Sequence, residues 1–174
     1  MKPNVTPTNH EIVMAEEDFI VSKTDLKGRI TYANRVFMKI AGYAESELLD
    51  VQHNIIRHPD MPRGVFRLLW NTIESGDECF AYVKNMAKNG DFYWVFANVT
   101  MDHDINGNPI GYFSVRRKPS RAGIEAIIPV YQEMLRIEQQ AGSRDAPDVS
   151  LNWLVDVLKG KGTTYEEFVH TLGQ

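Results

Sequence analysis

Two Asn-Gly turns constrain the fold of this chain more than any other feature. Three β-like runs, Cys79 to Ala87, Phe92 to Met101 and Ile110 to Arg117, follow one another closely. Asn89-Gly90 separates the first two runs, and Asn106-Gly107-Asn108 separates the second from the third. Asn-Gly readily adopts the positive φ angles of a tight hairpin turn. The three runs are therefore predicted to form consecutive antiparallel hairpins.

The residues before these hairpins predict two further strands and several short helices. The stretch from Phe19 to Asn34 alternates apolar and polar residues around a turn at Asp25 to Gly28. Asn34 is a good N-cap for a short helix that ends at Gly42, and Pro62 suits the first turn of a longer helix. Strands followed by helices and then hairpins predict an α+β fold with its helices on one face of the sheet.

The chain changes to a helical pattern from Gly123 onwards. An apolar stripe follows at helical spacing, formed by Ile124, Ile127, Ile128, Tyr131, Met134 and Leu135. Pro129 should kink or restart this helix, and a polar linker is predicted from Ala141 to Asp148. We expect the linker to let the tail fold back, so that the stripe packs on the domain itself and leaves a surface for a partner.

Composition excludes several classes of protein. Apolar residues make up 43% of the chain and charged residues 24%, which is typical of a globular domain, and no apolar run is long enough to span a bilayer. The net charge is −4 and the basic residues are scattered, which disfavours nucleic acid as the main partner. Cys79 is the single cysteine, so we expect a reducing cytoplasm. We expect the N-terminus to be a flexible lead-in.

Several sequence strings, in this element order, resemble a PAS domain of the bacterial aerotaxis-receptor group. The strings are TDLKGRITYAN (Thr24 to Asn34), AGY (Ala41 to Tyr43), HNIIRHPDMP (His53 to Pro62), VKN (Val83 to Asn85), KNGDFYWV (Lys88 to Val95) and GYFSVR (Gly111 to Arg116). The loop at His53 to Pro62 is the most specific of them. The resemblance implies a lead-in at 1–18, a PAS sensor domain at 19–121 with a five-stranded antiparallel sheet, and a helical C-terminal extension at 122–174.

The resemblance also implies an FAD-binding pocket. Arg57, His58 and Asp60 match the loop that family members need for FAD, and Asn34 and Asn85 match polar positions that line the flavin pocket. The forked donor of Arg57 suits a pyrophosphate, and His58 can donate to it as well. The implied function is a sensor of redox state or oxygen that signals to a protein partner or a second copy of itself and is not an enzyme.

Structural interpretations of the same residues remain open. Asp60 could cap the helix near Pro62 while Arg57 is solvated, and Asn34 could serve only as a helix cap. Phe66 and Trp70, on the buried face of the long helix, are candidates for the cofactor wall, but such residues more often belong to the core, and we favour the core for Trp70.

Other functions also remain open at this point. The pocket could hold haem, with His58 as the first candidate axial ligand, or a small metabolite. The apolar stripe could instead make the chain a cofactor-free dimerisation module. Family members commonly carry a tryptophan where this chain has Cys79, for which we expect a small buried thiol and no flavin photoadduct. The remaining histidines lie in separate segments and suggest no metal site.

Overall fold

An antiparallel sheet of five strands organises the fold. A computed structural model describes residues 4–172 of the chain. The strands are β1 (Phe19–Asp25), β2 (Ile30–Ala33), β3 (Cys79–Met86), β4 (Phe92–His103) and β5 (Pro109–Arg117), in the spatial order β2-β1-β5-β4-β3. The hairpins predicted at the Asn-Gly turns form as β3–β4 and β4–β5, with Val83 opposite Val95 and Asn98 opposite Val115. The five-stranded antiparallel sheet is thus confirmed.

Short helices cover the inner face of the sheet. They are α1 (Arg35–Ala41), α2 (Glu45–Leu48), a single 3₁₀ turn (His53–Ile56) and α3 (Arg63–Glu74). The Asn34 side chain accepts a hydrogen bond from the Phe37 N–H at 3.0 Å, and Gly42 ends α1 with a φ of 74°. These are the cap and the stop that the sequence predicts, because an N-cap oxygen and a left-handed glycine satisfy backbone groups at helix ends.

The C-terminal extension consists of α4 (Arg121–Gly160) and α5 (Tyr165–Thr171), and it departs from the predicted layout. The helix continues through the exposed Pro129, and its single non-helical residue is Gly142, with φ 77° and ψ 161°. Such angles favour glycine, which has no Cβ. The predicted polar linker is wrong, because residues 143–148 are helical and one glycine makes the reversal. We call residues 121–141 the first arm of α4 and residues 143–160 the second arm.

Both arms of α4 pack on the domain, as expected for the apolar stripe. The buried residues of this stripe are Ile124, Ile127, Tyr131 and Met134, all in the first arm. The Tyr131 ring stacks on Trp94 of the outer sheet face, and its hydroxyl donates to the Tyr82 carbonyl at 2.6 Å. The second arm lies beside α3, with Arg67 paired to Asp148 at 3.4 Å. The extension therefore packs on the outer face of the sheet through its first arm and on α3 through its second arm.

The N-terminal segment is anchored, so the expectation of a flexible lead-in is wrong for its later part. The Thr8 N–H donates to the Gly90 carbonyl, and His10 and Ile12 exchange backbone hydrogen bonds with Phe92. Met14 is buried in the main core. These contacts use backbone groups that the turn at Gly90 and the start of β4 leave without partners in the sheet. No local sequence pattern predicts that the N-terminal segment pairs with them. Residues 1–3 of the lead-in and 173–174 of the extension lie outside the described part of the chain.

Candidate functional site

A cavity of about 160 Å³ lies between the inner face of the sheet and α3. Alternate residues of β1, β3, β4 and β5 point into it, because successive side chains of a strand face opposite sides. Its polar lining comes from Ser22, Thr24, Gln52, His53, Asn54, Arg57, Asn85, Tyr112, Ser114 and Arg116. Its apolar lining comes from Ile56, Phe66, Leu69, Trp70, Ile73, Val83, Ala97 and Val99. The cavity thus combines apolar walls with a few polar groups, which is typical of cofactor sites.

Arg116 is the most unusual residue of the cavity. Its side chain is 2% exposed, its Nη2 donates to Ser22 Oγ, and its Nη1 lies 3.2 Å from His53 Nε2. Its buried Nε has no hydrogen-bond partner within residues 4–172. Burial lowers the pKa of Arg116 to about 10, which leaves it protonated at neutral pH. A buried cation with an unused donor therefore belongs to the lining of the cavity.

His53 is held in its neutral form beside this cation. Its Nε2 lies 3.1 Å from Ser22 Oγ and accepts from Arg116, so the proton of the neutral ring belongs on Nδ1. Burial, and after it the positive charge of Arg116, lowers the pKa of His53 from 6.5 to about 3. His53 is therefore an acceptor that orients Arg116.

The charges that line the cavity have one sign. Arg57 and Arg116 both line it, and no Asp or Glu from the described part of the chain does. The Arg57 guanidinium lies 3.6 Å from the centroid of the Phe66 ring, and burial lowers its pKa. A cavity lined by two arginines and by no acidic side chain of the described chain favours a ligand with electron-rich or anionic groups.

Four of the seven residues proposed for the cofactor site line the cavity. These are Arg57, Phe66, Trp70 and Asn85. Trp70 packs edge-on against Tyr112 with the ring centroids 5.3 Å apart, and it is partly exposed. Trp70 therefore contributes both to the cavity wall and to a small cluster of buried side chains, so the two interpretations of this residue are compatible.

The other three proposed residues hold neighbouring structure and do not line the cavity. Asn34 accepts from the N–H groups of Val21 and Phe37, and its amide donates to the Phe19 carbonyl. His58 is 3% exposed, and its Nδ1 accepts from the Asp60 N–H. The Asn34 side chain and the Nδ1 of His58 therefore make hydrogen bonds with the backbone, which the sequence motif alone does not reveal.

Asp60 does not take the role of a helix cap. Its exposed carboxylate pairs with Lys84 Nζ at 2.7 Å, and the N-cap position of α3 is Pro62, which makes no side-chain hydrogen bond. Arg57 lies three residues before Asp60 in the same loop and lines the cavity. Its backbone forms an isolated β-bridge with Asn85 of β3. The motif loop therefore runs along the edge of β3 and places Arg57 at the cavity.

Sequence reasoning missed Arg116, His53 and Ser22, which form the polar end of the cavity. A signal for Arg116 was present, because Tyr112, Ser114 and Arg116 alternate on β5 and a charged residue at an inward-facing strand position is unusual. No local signal joins His53 to Arg116, which lie 63 residues apart in the chain.

Cys79 is a buried thiol, as expected. It begins β3, lies in a small core cluster with Ile73 and Tyr112, and does not line the cavity. Burial, and after it the nearby negative charge of Glu166, raises the pKa of Cys79 to about 12. The thiol is therefore protonated and unreactive at neutral pH.

Comparison with known proteins identifies the family. Residues 30–116, half of the chain, match the family model of the PAS fold. The chain belongs to the PAS fold family. The matched stretch of this PAS domain runs from β2 to the end of β5 and includes the cavity-lining residues of α3 and of β3 to β5.

The relatives of this PAS domain are sensory and regulatory proteins. It is 40% identical over 133 residues to the aerotaxis receptor of Escherichia coli (strain K12), covering 76% of the chain and 26% of the receptor. It is 27% identical over 97 residues to a nitrogen fixation regulatory protein of Klebsiella pneumoniae, covering 56% of the chain and 20% of the regulator. The chain thus spans about a quarter or less of each relative, so it resembles one module of these proteins.

Solved structures show the same fold. The dark structure of the Aureochrome1 LOV blue-light photoreceptor superposes with a TM-score of 0.52 at 25% identity, covering 71% of this chain and 88% of that one. A light-oxygen-voltage domain studied with a flavin analogue gives a TM-score of 0.56 at 23% identity, covering 66% and 86%.

Within residues 4–172, no group of three or more His, Cys, Asp and Glu side chains could hold a metal ion. None of the helices in that range is both long and apolar enough to cross a membrane.

Proposed function

We propose that this PAS domain binds FAD, senses redox state or oxygen through it, and signals by protein contacts without catalysing a reaction. The observation that carries the proposal is Arg116, a buried cation that lines a cavity without acidic lining and whose Nε has no partner in the described chain. The similarity to an aerotaxis receptor supports oxygen or redox as the stimulus.

The polar groups of the cavity suit the edge of a flavin ring. That edge carries two carbonyl oxygens on either side of an N–H. Arg116 offers a donor for a carbonyl, and the buried Asn85 amide can both donate and accept. When bound, FAD would supply a reversible redox centre, while these side chains would hold and orient it.

The phosphates of FAD call for a cation outside the apolar walls. Arg57 is the candidate, since a guanidinium binds phosphate oxygens in pairs. His58 and Asp60 would support Arg57 by holding the loop against β3, which matches their contacts better than direct ligation.

The size of the cavity requires the wall to move when FAD binds. A cavity of about 150 Å³ takes up a single benzene ring, whereas the flavin ring system is tricyclic. Trp70 is partly exposed and lies against Gly28, so an outward rotation of its indole would enlarge the space. We therefore assign Trp70 as the movable part of the wall.

The alternative functions have less support. His58, the axial ligand considered for haem, does not line the cavity. The apolar stripe considered for dimerisation is buried against the sheet of the same chain. The signalling partner, whether another protein or a second copy, and the cytoplasmic location stay predictions.

The test is to purify the protein without added cofactor, denature it and identify the released chromophore. FAD should be released, and Arg116→Met should weaken FAD binding about tenfold or more, since a hydrogen bond from a charged group contributes about 1.5–3 kcal/mol. Arg117→Met is the matched control, because Arg117 is the next residue of β5, is exposed and lies outside the cavity lining. Removing a buried, incompletely paired cation should not unfold the domain.

Release of FMN, of haem or of no chromophore would contradict the proposal. Equal FAD affinity in the two arginine variants would show that Arg116 does not contact the ligand.

A further inference from the structure

The helix that forms the cavity wall is capped by a residue far away in the chain. α3 begins after Pro62, which supplies no side-chain cap. The backbone N–H groups of Arg63 and Gly64 donate instead to the carboxylate of Glu138, at 3.0 Å and 2.9 Å. Glu138 is only 9% exposed and lies in the first arm of α4. One carboxylate thus satisfies two N–H groups that a helix start leaves without partners.

The same carboxylate joins the two arms of α4. Ser150 of the second arm donates its hydroxyl to Glu138 at 2.6 Å. Arg63 Nη1 donates to the Ser143 carbonyl at 2.6 Å, just beyond the turn at Gly142. Glu138 therefore lies at the point where both arms of α4 meet the first turn of α3.

Close packing leaves no space at this junction. A Cβ on Gly64 would overlap Ser150 Oγ and would lie 2.9 Å from the backbone nitrogen of Leu151. The first turn of α3 therefore touches the backbone of the second arm directly. A displacement of either element has to be followed by the other, since packed interiors do not deform continuously.

The cavity lies at the other end of this chain of contacts. Phe66 and Trp70 line it from α3, within two turns of the capped residues, and Arg57 lies against Phe66. The hydrogen-bonded backbone of α3 carries a shift of its first turn to these side chains.

We propose that Glu138 is a positioning residue that sets the place of the cavity wall and couples ligand binding to the C-terminal helical extension. The identity of the ligand rests on the proposed function, but the positioning of α3 does not. With the cap in place, α3 holds the geometry that binds ligand. Because coupling between two sites is reciprocal, bound ligand in turn stabilises the arms of α4 at Ser150. A partner that binds the extension would thereby respond to whether the cavity holds its ligand.

The experiment compares Glu138→Gln with wild type by hydrogen exchange and by FAD binding. Gln keeps the size of the side chain but replaces one carboxylate oxygen by an NH₂ group, which is a donor. One of the two helix N–H groups therefore loses its hydrogen-bond acceptor. Exchange across residues 63–74 should become about fivefold faster, because a lost helix cap costs about 1 kcal/mol. The dissociation constant for FAD should rise by about the same factor. In wild type, added FAD should slow exchange across residues 138–151.

Matched variants separate positioning from a general loss of stability. Glu133→Gln also removes a carboxylate from the first arm, but the partner of Glu133 within residues 4–172 is the exposed Arg136 nearby, so both readouts should match wild type. Ser150→Ala removes one of the three bonds to Glu138 and should change both readouts in the same direction by less. It serves as the test if Glu138→Gln does not fold.

Each outcome decides the proposal. Unchanged exchange across residues 63–74 in Glu138→Gln, or equal changes in Glu133→Gln, would overturn the positioning role. Faster exchange with an unchanged FAD affinity would overturn the coupling. Faster exchange in a protein that binds no FAD would refute FAD as the ligand and leave the positioning role supported.

Discussion

Lowering the pH from 7 to 5 should destabilise the fold through His53. The pKa of His53 is lowered from 6.5 to about 3, first by burial and then by the charge of Arg116. The unfolded chain therefore takes up a proton near pH 6.5, whereas the folded protein resists it until about pH 3. Stability from this residue is fully present above pH 6.5 and is lost progressively as the pH falls towards 3.

The magnitude follows from the two pKa values. A histidine with pKa values of 6.5 unfolded and 3 folded removes about 2 kcal/mol of stability between pH 7 and pH 5. That is a large fraction of a total of about 5–15 kcal/mol for a typical domain. The physical cause is local, because a proton on Nε2 of His53 would face the Arg116 guanidinium across 3.2 Å.

The assay is urea unfolding at pH 7 and pH 5 of wild type and His53→Gln. Carboxylates also titrate in this range, so the comparison between the two proteins isolates His53. Gln can accept from Arg116 and Ser22 through its amide oxygen and does not titrate. Wild type should lose about 2 kcal/mol more than the variant between the two pH values. The exposed His103, replaced by Gln, is the control and should behave as wild type.

Equal losses in wild type and His53→Gln would refute the reasoning. Such a result would mean that His53 accepts a proton in the folded state, and that the contact with Arg116 rearranges to permit it.

Three further predictions follow from other parts of the structure. Arg57→Ala should lower bound flavin per protein more than it lowers the melting temperature, and equal losses would favour a purely structural loop. Blue light should produce no cysteinyl adduct, so any bleaching should be the same in wild type and Cys79→Ser, since the thiol lies outside the cavity lining. Gly64→Ala should destabilise by about 1–3 kcal/mol in chemical unfolding, because its Cβ has no space. Gly160→Ala, with nothing within 4 Å of its Cβ, should not destabilise, and equal effects would contradict this packing.

Much of the fold could be predicted because its signals are local. The Asn-Gly turns specify the hairpins, and Asn34 and Gly42 mark the two ends of α1. Each signal acts on backbone groups within a few residues, so the chain needs no distant partner to reveal it. The alternation of β5 also places Arg116 on the inner face, although its importance was not recognised.

Two predictions for α4 failed because solvent, in one case, and a distant packing partner, in the other, outweighed the local signal. Pro129 was expected to disturb α4, but the helix continues at an exposed position where water can satisfy the freed carbonyl. The polar stretch after Ala141 was expected to be a linker, but packing against α3 keeps it helical up to and beyond Ser150. The intrinsic helix propensity of a segment is a weak guide to its structure where tertiary packing competes with it.

The sequence by itself determined the order of the strands and helices along the chain, the hairpin turns and the loop motif that brings Arg57 to the cavity. Tertiary structure alone decided which groups meet there. Arg116 meets His53 and Ser22 across 63 and 94 residues, and Glu138 caps α3 from 75 residues away. These contacts depend on three-dimensional packing and on the need to satisfy buried polar groups, and neither leaves a pattern in neighbouring residues.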